Sequence, residues 1–435
     1  MRCTLGACRI GMLMIVGSAF WAFRAQACYY HWMMGLPEPI GVWPTMALNN
    51  ASVSDAAWSA VSTMQQQDAM DDVAITAAIS GTSSYTVATP SDTVTDPSII
   101  NWMINTTGAT AKSSNATINA EIDTIQANVQ KVAYTSTDVY VEATGLPDYN
   151  IGPWGSDPNV AKNQSATFDI NRDPTPQTAT KTATGLGAIG VLVNGVAVFN
   201  AEDGTSYNNK GYWHPNAVDA EGSTFDSSGG HPQQQGVYHY HEAPTSLLSE
   251  LGQTSSSFGP LIGYAIDGYP IYGEYASVNS DGTGGIERMT SSYQLRNITT
   301  RTTLPDGTVL PTADDGPAVS STYPLGYFVE DYQYVAGSGT LDQYNGRFID
   351  TPQYPDGTYA YFVSTDSAGD PTYPYIVGPD YYGVVSTDDL PGSTVTVPSD
   401  VTYYTPAPEP TTLGFFALGS IVLCARRRRG SISPT

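Results

Sequence analysis

The stretch from Gly187 to Phe199 reads Gly-Ala-Ile-Gly-Val-Leu-Val-Asn-Gly-Val-Ala-Val-Phe, two apolar runs meeting at Asn194-Gly195. Asn-Gly adopts left-handed backbone angles at little cost, so a two-residue turn here folds the runs into a β-hairpin. The device recurs. Tyr264-Ala265-Ile266 and Tyr269-Pro270-Ile271-Tyr272 flank Asp267-Gly268, and Pro355-Asp356-Gly357 leads into the alternating run Thr358 to Val363. Val129 to Ala143 carries β-branched and aromatic residues with partial alternation, as a strand pair does. Composition agrees: Gly (42), Pro (30) and Tyr (29) are abundant and only 13% of residues are charged, which suits short strands and many turns. No fixed-period repeat supports a propeller or solenoid. The expected fold is mainly β, one large sandwich- or barrel-like domain of short strands and hairpins.

The two ends read differently from the body. Arg2 and Arg9, an apolar run from Ile10 to Phe23 and the small-x-small site Ala25-Gln26-Ala27 form an export signal over residues 1–27. Cys28 would then begin the mature chain, with its lipidation as the alternative reading. Residues 28–97 read as an extension and linker, with a helical stripe at Ala57, Trp58, Val61 and Met64. After the body at 98–385, residues 386–407 form a Ser/Thr/Pro-rich stalk. Then come Pro408-Glu409-Pro410, an apolar helix from Thr411 to Ala425, and Arg426 to Arg429. That order resembles the PEP-CTERM sorting signal of exported bacterial proteins, whose tail passes transiently through the inner membrane and is removed by an exosortase-type protease. The resemblance implies an exported protein at the cell surface or outside the cell. Cys3, Cys8 and Cys424 fall in the two end segments, so a mature chain keeping only Cys28 has no internal disulfide.

Function centres on Gly229-Gly230-His231-Pro232, followed by Val237-Tyr238-His239-Tyr240-His241, which together hold three of five histidines. On a strand, alternation puts His239 and His241 on one face and Tyr238 and Tyr240 on the other. Two imidazoles at that spacing offer nitrogens to one transition metal ion, zinc or copper, with His231 as a third ligand. Asp226 and Asp267 are candidates for ligating the ion directly or for orienting an imidazole, although Asp267-Gly268 is also simple turn chemistry. Tyr238 and Tyr240 read as core. His214 reads as a packed or partly exposed residue, and His31 has no partners. Arg347, one of few cations in the body, is expected either in a buried ion pair with a carboxylate such as Asp331 or holding an anionic ligand.

With these motifs read, the chain resembles the YHYH-domain proteins over residues of about 98–385. Asp267 to Gly273, Tyr323-Pro324-Leu325-Gly326, Glu330-Asp331, Asn345-Gly346-Arg347-Phe348, Tyr373-Pro374-Tyr375 and Tyr381-Tyr382-Gly383 also carry the resemblance. It implies no established activity. Some members have cysteines near the histidines; Ser228 and Ser246 stand in those neighbourhoods here, so a crosslink is absent.

A net charge of −24 repels phosphate backbones and excludes nucleic acid as a partner. Three functional classes stand: a surface-associated metal-binding protein, a metal-dependent extracellular hydrolase or other enzyme, and a metal-free matrix or adhesion module contacting extracellular matrix or polysaccharide. The enzyme needs an acid or base beside the ion, for which Asp226, Asp267 and Glu221 are the candidates.

Overall fold

The computed structural model describes residues 94–386 and 394–406. The export signal, Cys28, the helical stripe of the extension, most of the linker, part of the stalk and the sorting helix lie outside the described residues.

Among the described residues the chain is mainly β. Its strands are β1 (Val129–Tyr134), β2 (Asp138–Ala143), β3 (Ala166–Asn171), β4 (Ala188–Leu192), β5 (Ala197–Phe199), β6 (Gly230–Pro232), β7 (Tyr238–Tyr240) and β8 (Leu261–Ala265). They continue with β9 (Pro270–Tyr272), β10 (Tyr275–Ser277), β11 (Ile286–Arg288), β12 (Tyr293–Leu295), β13 (Tyr332–Tyr334), β14 (Gly346–Ile349), β15 (Thr358–Phe362) and β16 (Thr402–Tyr404). Four short helices intervene: α1 (Pro97–Ile100), α2 (Ala116–Ile122), α3 (Ala217–Glu221) and α4 (Thr245–Glu250).

An eight-stranded sheet, in the order β14-β15-β9-β8-β4-β5-β7-β6, carries the molecule. It is antiparallel except where β15 meets β9 and β5 meets β7. The order is linear, with β14 and β6 at its ends, so this sheet does not close into a barrel. The anticipated hairpins are present: β4 pairs with β5 across Asn194-Gly195, β8 with β9 across Asp267-Gly268, and β1 with β2. Gly195 (φ +80°) takes the left-handed angle, and a Cβ there would lie 2.4 Å from the Ala143 methyl.

Alternation sorts the large sheet's side chains between two cores. Val191, Tyr264, Tyr272, Ala360 and Phe362 pack with Val132, Val139, Val141 and Ile170 of the four-stranded sheet β16-β1-β2-β3. Ile189, Val198, Tyr238, Tyr240, Ile271, Tyr359 and Tyr361 point the other way, against Trp154, Leu247, Leu248 and Tyr375. With both faces covered, the central strands read as near-continuous apolar runs, and burial of that surface at roughly 25 cal/mol per Å² drives folding without a disulfide.

Ion pairing departs from the sequence expectation. Asp331 is held by Arg301, through Nε to Oδ1 and Nη2 to Oδ2 at 2.7 Å each, with both side chains fully buried. Arg347 instead donates to the Val278 carbonyl (2.9 Å) and stands 3.8 Å from Glu287. The reason is topological. Arg347 lies on the edge strand β14, whereas Arg301 enters the loop cluster around Trp213 and Phe328, with its guanidinium 4.8 Å from the Phe328 ring.

Candidate metal centre

The centre is built on the hairpin-like pair β6–β7 at one end of the large sheet. Its register sets His231 directly opposite His239, and β5 sets Ala197 beside His239 on the other side. Gly230 is needed for this approach, because a Cβ there would lie 2.6 Å from the Tyr238 hydroxyl. His241 follows the end of β7 and turns to the same side as His239. The expected face separation therefore holds, and the pairing supplies the third imidazole that strand alternation left open. One ring nitrogen of each of the three histidines lies within 4.8 Å of the others, and all three residues are buried.

The protons on these rings are assigned by their partners. His239 Nδ1 lies 3.0 Å from the Val237 carbonyl and His241 Nδ1 2.6 Å from the Asn200 carbonyl. Carbonyls only accept, so each Nδ1 carries a proton, and in the neutral rings each Nε2 keeps its lone pair. For His231 the partner is Thr224 Oγ1 at 2.8 Å, whose own proton is donated to the Glu221 carbonyl. The hydroxyl must therefore accept from His231 Nδ1, and His231 Nε2 is left buried without a hydrogen-bond partner.

In the neutral rings three Nε2 lone pairs thus converge. Those of His239 and His241 face each other at 3.0 Å, a separation that one shared proton or one bound cation satisfies. Tetrahedral zinc, with bonds of about 2.0–2.1 Å, sets its donors about 3.4 Å apart, so gathering all three needs at most about 1.4 Å of side-chain adjustment. Burial, together with neighbouring His241, pushes His231 down to about 4 against the pull of Glu221 and Asp157. Burial, with neighbouring His241 and His231, holds His239 well below its ordinary value. Neutral imidazoles are the form a metal ion requires.

Aromatic rings wall the centre. Phe199 stacks on His239 with ring centres 3.9 Å apart, while Phe225 meets His231 edge-on at 4.8 Å and lies parallel to His241 at 6.0 Å. On the open side stands Glu221, the last residue of α3, with Oε2 3.5 Å from His231 Nε2 and 3.4 Å from His241 Nε2. Burial raises the Glu221 carboxyl, but hydrogen bonding and charge at His241, with His231, outweigh it and leave the group below its ordinary value. Asp203, hydrogen-bonded to Glu221, is raised by burial and by that neighbouring carboxylate. Asp157 lies 3.7 Å from His231 Nδ1.

The structure brings neither Asp226 nor Asp267 to a histidine, because each is saturated elsewhere. Asp226 accepts from the backbone N–H of Gly152, Ser228 and Gly230, from Trp154 Nε1 and from the Tyr238 hydroxyl. Asp267 accepts from the Tyr361 hydroxyl and the N–H of Gly383 and Tyr269. Tyr238 and Tyr240 are core residues, as read from the sequence, and their hydroxyls continue to Tyr149 (2.6 Å from Tyr240). Ser228 and Ser246 meet through their hydroxyls at 2.7 Å, tying the turn before β6 to α4. Half-buried His214 pairs with Glu330 at 2.7 Å, a hydrogen bond that raises its pKa. Two surface clefts, of about 330 and 470 Å³, are lined by other residues and include none of the three histidines.

Fold and site define a β-rich protein with a buried three-histidine cluster that could hold a metal ion. Residues 167–373 match the model of the YHYH protein family, and residues 406–429 match the PEP-CTERM protein-sorting motif. The chain carries a YHYH domain and a PEP-CTERM sorting signal, which marks it for export and for C-terminal processing by exosortase, a membrane protease, to the cell surface. The first match runs from β3 past β15 and contains all three histidines. No curated protein and no solved structure is similar enough to match.

Proposed function

We propose that this surface protein binds one divalent transition metal ion, of the zinc or copper type, through His231, His239 and His241. The observation that carries the reading is the convergence of three Nε2 lone pairs whose ring protons are all committed to Nδ1 partners. Such second-layer hydrogen bonds fix tautomer and ring orientation before any ion arrives. The buried, unpartnered His231 Nε2 is the group whose hydrogen-bonding capacity an ion would use.

An ion bound only by the folded state stabilises it. With zinc at 100 times its dissociation constant the gain is about 2.7 kcal/mol. Chelator-stripped protein is therefore expected to melt several degrees lower than the same protein with zinc or copper(II) added. A His239→Ala/His241→Ala variant is expected to show no such response. Equal responses in the two proteins, followed by differential scanning calorimetry, would refute the assignment.

A further inference from the structure

We propose that Glu221 is the fourth ligand of this centre, an assignment that rests on the three-histidine reading above. Its Oε2 stands 3.5 and 3.4 Å from two of the Nε2 atoms, the separation of about 3.4 Å expected between donors of a tetrahedral site. No proton is available on His231 Nε2 to make that approach a hydrogen bond, because its ring proton lies on Nδ1 toward Thr224. A carboxylate oxygen and imidazole nitrogens gathered this closely bind a positive charge, either the proton that His241 shares with Glu221 or a metal ion that displaces it.

The local chain fixes Glu221 for the task. Asn216 caps α3 by accepting from the Val218 N–H, which leaves Glu221 at the helix's last position. The Thr224 hydroxyl accepts from His231 Nδ1 and donates to the Glu221 carbonyl, so one side chain locks ring and helix end together. The His231 and His241 side chains are 5% and 3% exposed, whereas Glu221 is 29% exposed, so Glu221 is the ligand nearest solvent.

Three imidazoles and one carboxylate make a closed, mixed nitrogen–oxygen set. That set suits divalent zinc, iron or copper and disfavours copper(I), which prefers softer ligands. A protein-filled fourth position also matches a holding site better than one that keeps a place for water. An added carboxylate such as formate should occupy the position when Glu221 is shortened.

Cobalt(II) binding to the full-length protein, read by its visible absorption, tests this with Glu221→Ala, Glu221→Gln and the His239→Ala/His241→Ala variant. Wild type is expected to take one cobalt ion. Glu221→Ala should bind at least about tenfold more weakly, the lower end of the loss produced even by outer partners. Its absorption bands should shift and return toward wild type with formate, while Glu221→Gln, which preserves shape, should bind no better than Glu221→Ala. Unchanged affinity and spectrum in both Glu221 variants would overturn the assignment while leaving the three histidines intact. Absence of cobalt from wild type would overturn both.

Discussion

Replacing Asp331 with alanine should lower the unfolding free energy by about 3–5 kcal/mol, because Arg301 would be left as an unpaired charge inside the fold. Both side chains are fully buried, and the pair is bidentate at 2.7 Å. Asp331 also accepts from the N–H groups of Gly326 and Phe328, so its loss strands backbone donors too. Arg301 keeps its carbonyl partners at Pro317, Tyr323 and Pro324, which hold the guanidinium in place rather than releasing it to water. Denaturant unfolding measures the loss directly, and the melting temperature should fall by about 10 °C. Replacing both partners with apolar residues, Arg301→Met with Asp331→Leu, should recover the part of the loss due to the unpaired charge, but not the part due to the Gly326 and Phe328 N–H groups, which stay without their acceptor. A single-variant loss below about 1 kcal/mol would contradict the buried pair.

Asp226→Ala should be comparably severe, at about 4 kcal/mol. Asp226 is the common acceptor for five donors, and each buried donor left unpaired costs about 1–3 kcal/mol, though not additively. Its partners reach from Gly152 and Trp154 to Ser228, Gly230 and Tyr238, so it ties an early loop to both strands that bear the histidines. Asp226→Asn retains one acceptor oxygen and should lose less. Denaturant titration of the three proteins orders them as wild type, Asp226→Asn, Asp226→Ala. An Asp226→Ala loss within 0.5 kcal/mol or so, the range of ordinary surface changes, would show that the carboxylate is not the hub its bonds describe.

Much of this architecture was legible in the chain because turn chemistry is local. Asn194-Gly195 and Asp267-Gly268 announce their hairpins through residues that tolerate left-handed angles, and both hairpins form. The one-sided placement of His239 and His241 follows from alternation alone. What alternation does not supply is pairing across strands: His231 faces His239 because β6 and β7 align in one register, which glycines permit without specifying. The same limit applies to the three candidate carboxylates. Asp226 and Asp267 bond elsewhere, whereas Glu221 reaches the histidines from the end of a five-residue helix, and sequence distance does not tell them apart. Asn200 acts through its backbone carbonyl, which leaves no mark in side-chain identity. Phe199 and Phe225 belong to no motif, and their place beside the histidines emerges only with the rings they stack on. Scarcity of cations singles out Arg347, whereas the buried partner of Asp331 is Arg301, because burial is a property of the assembled fold.

Elemental analysis of the purified full-length protein measures whether His231, His239 and His241 hold one metal ion. After anaerobic purification and reconstitution with zinc or copper, wild type should carry one ion per chain, and the His239→Ala/His241→Ala variant should carry none. No transition metal in wild type, or an equal content in the two proteins, would contradict it.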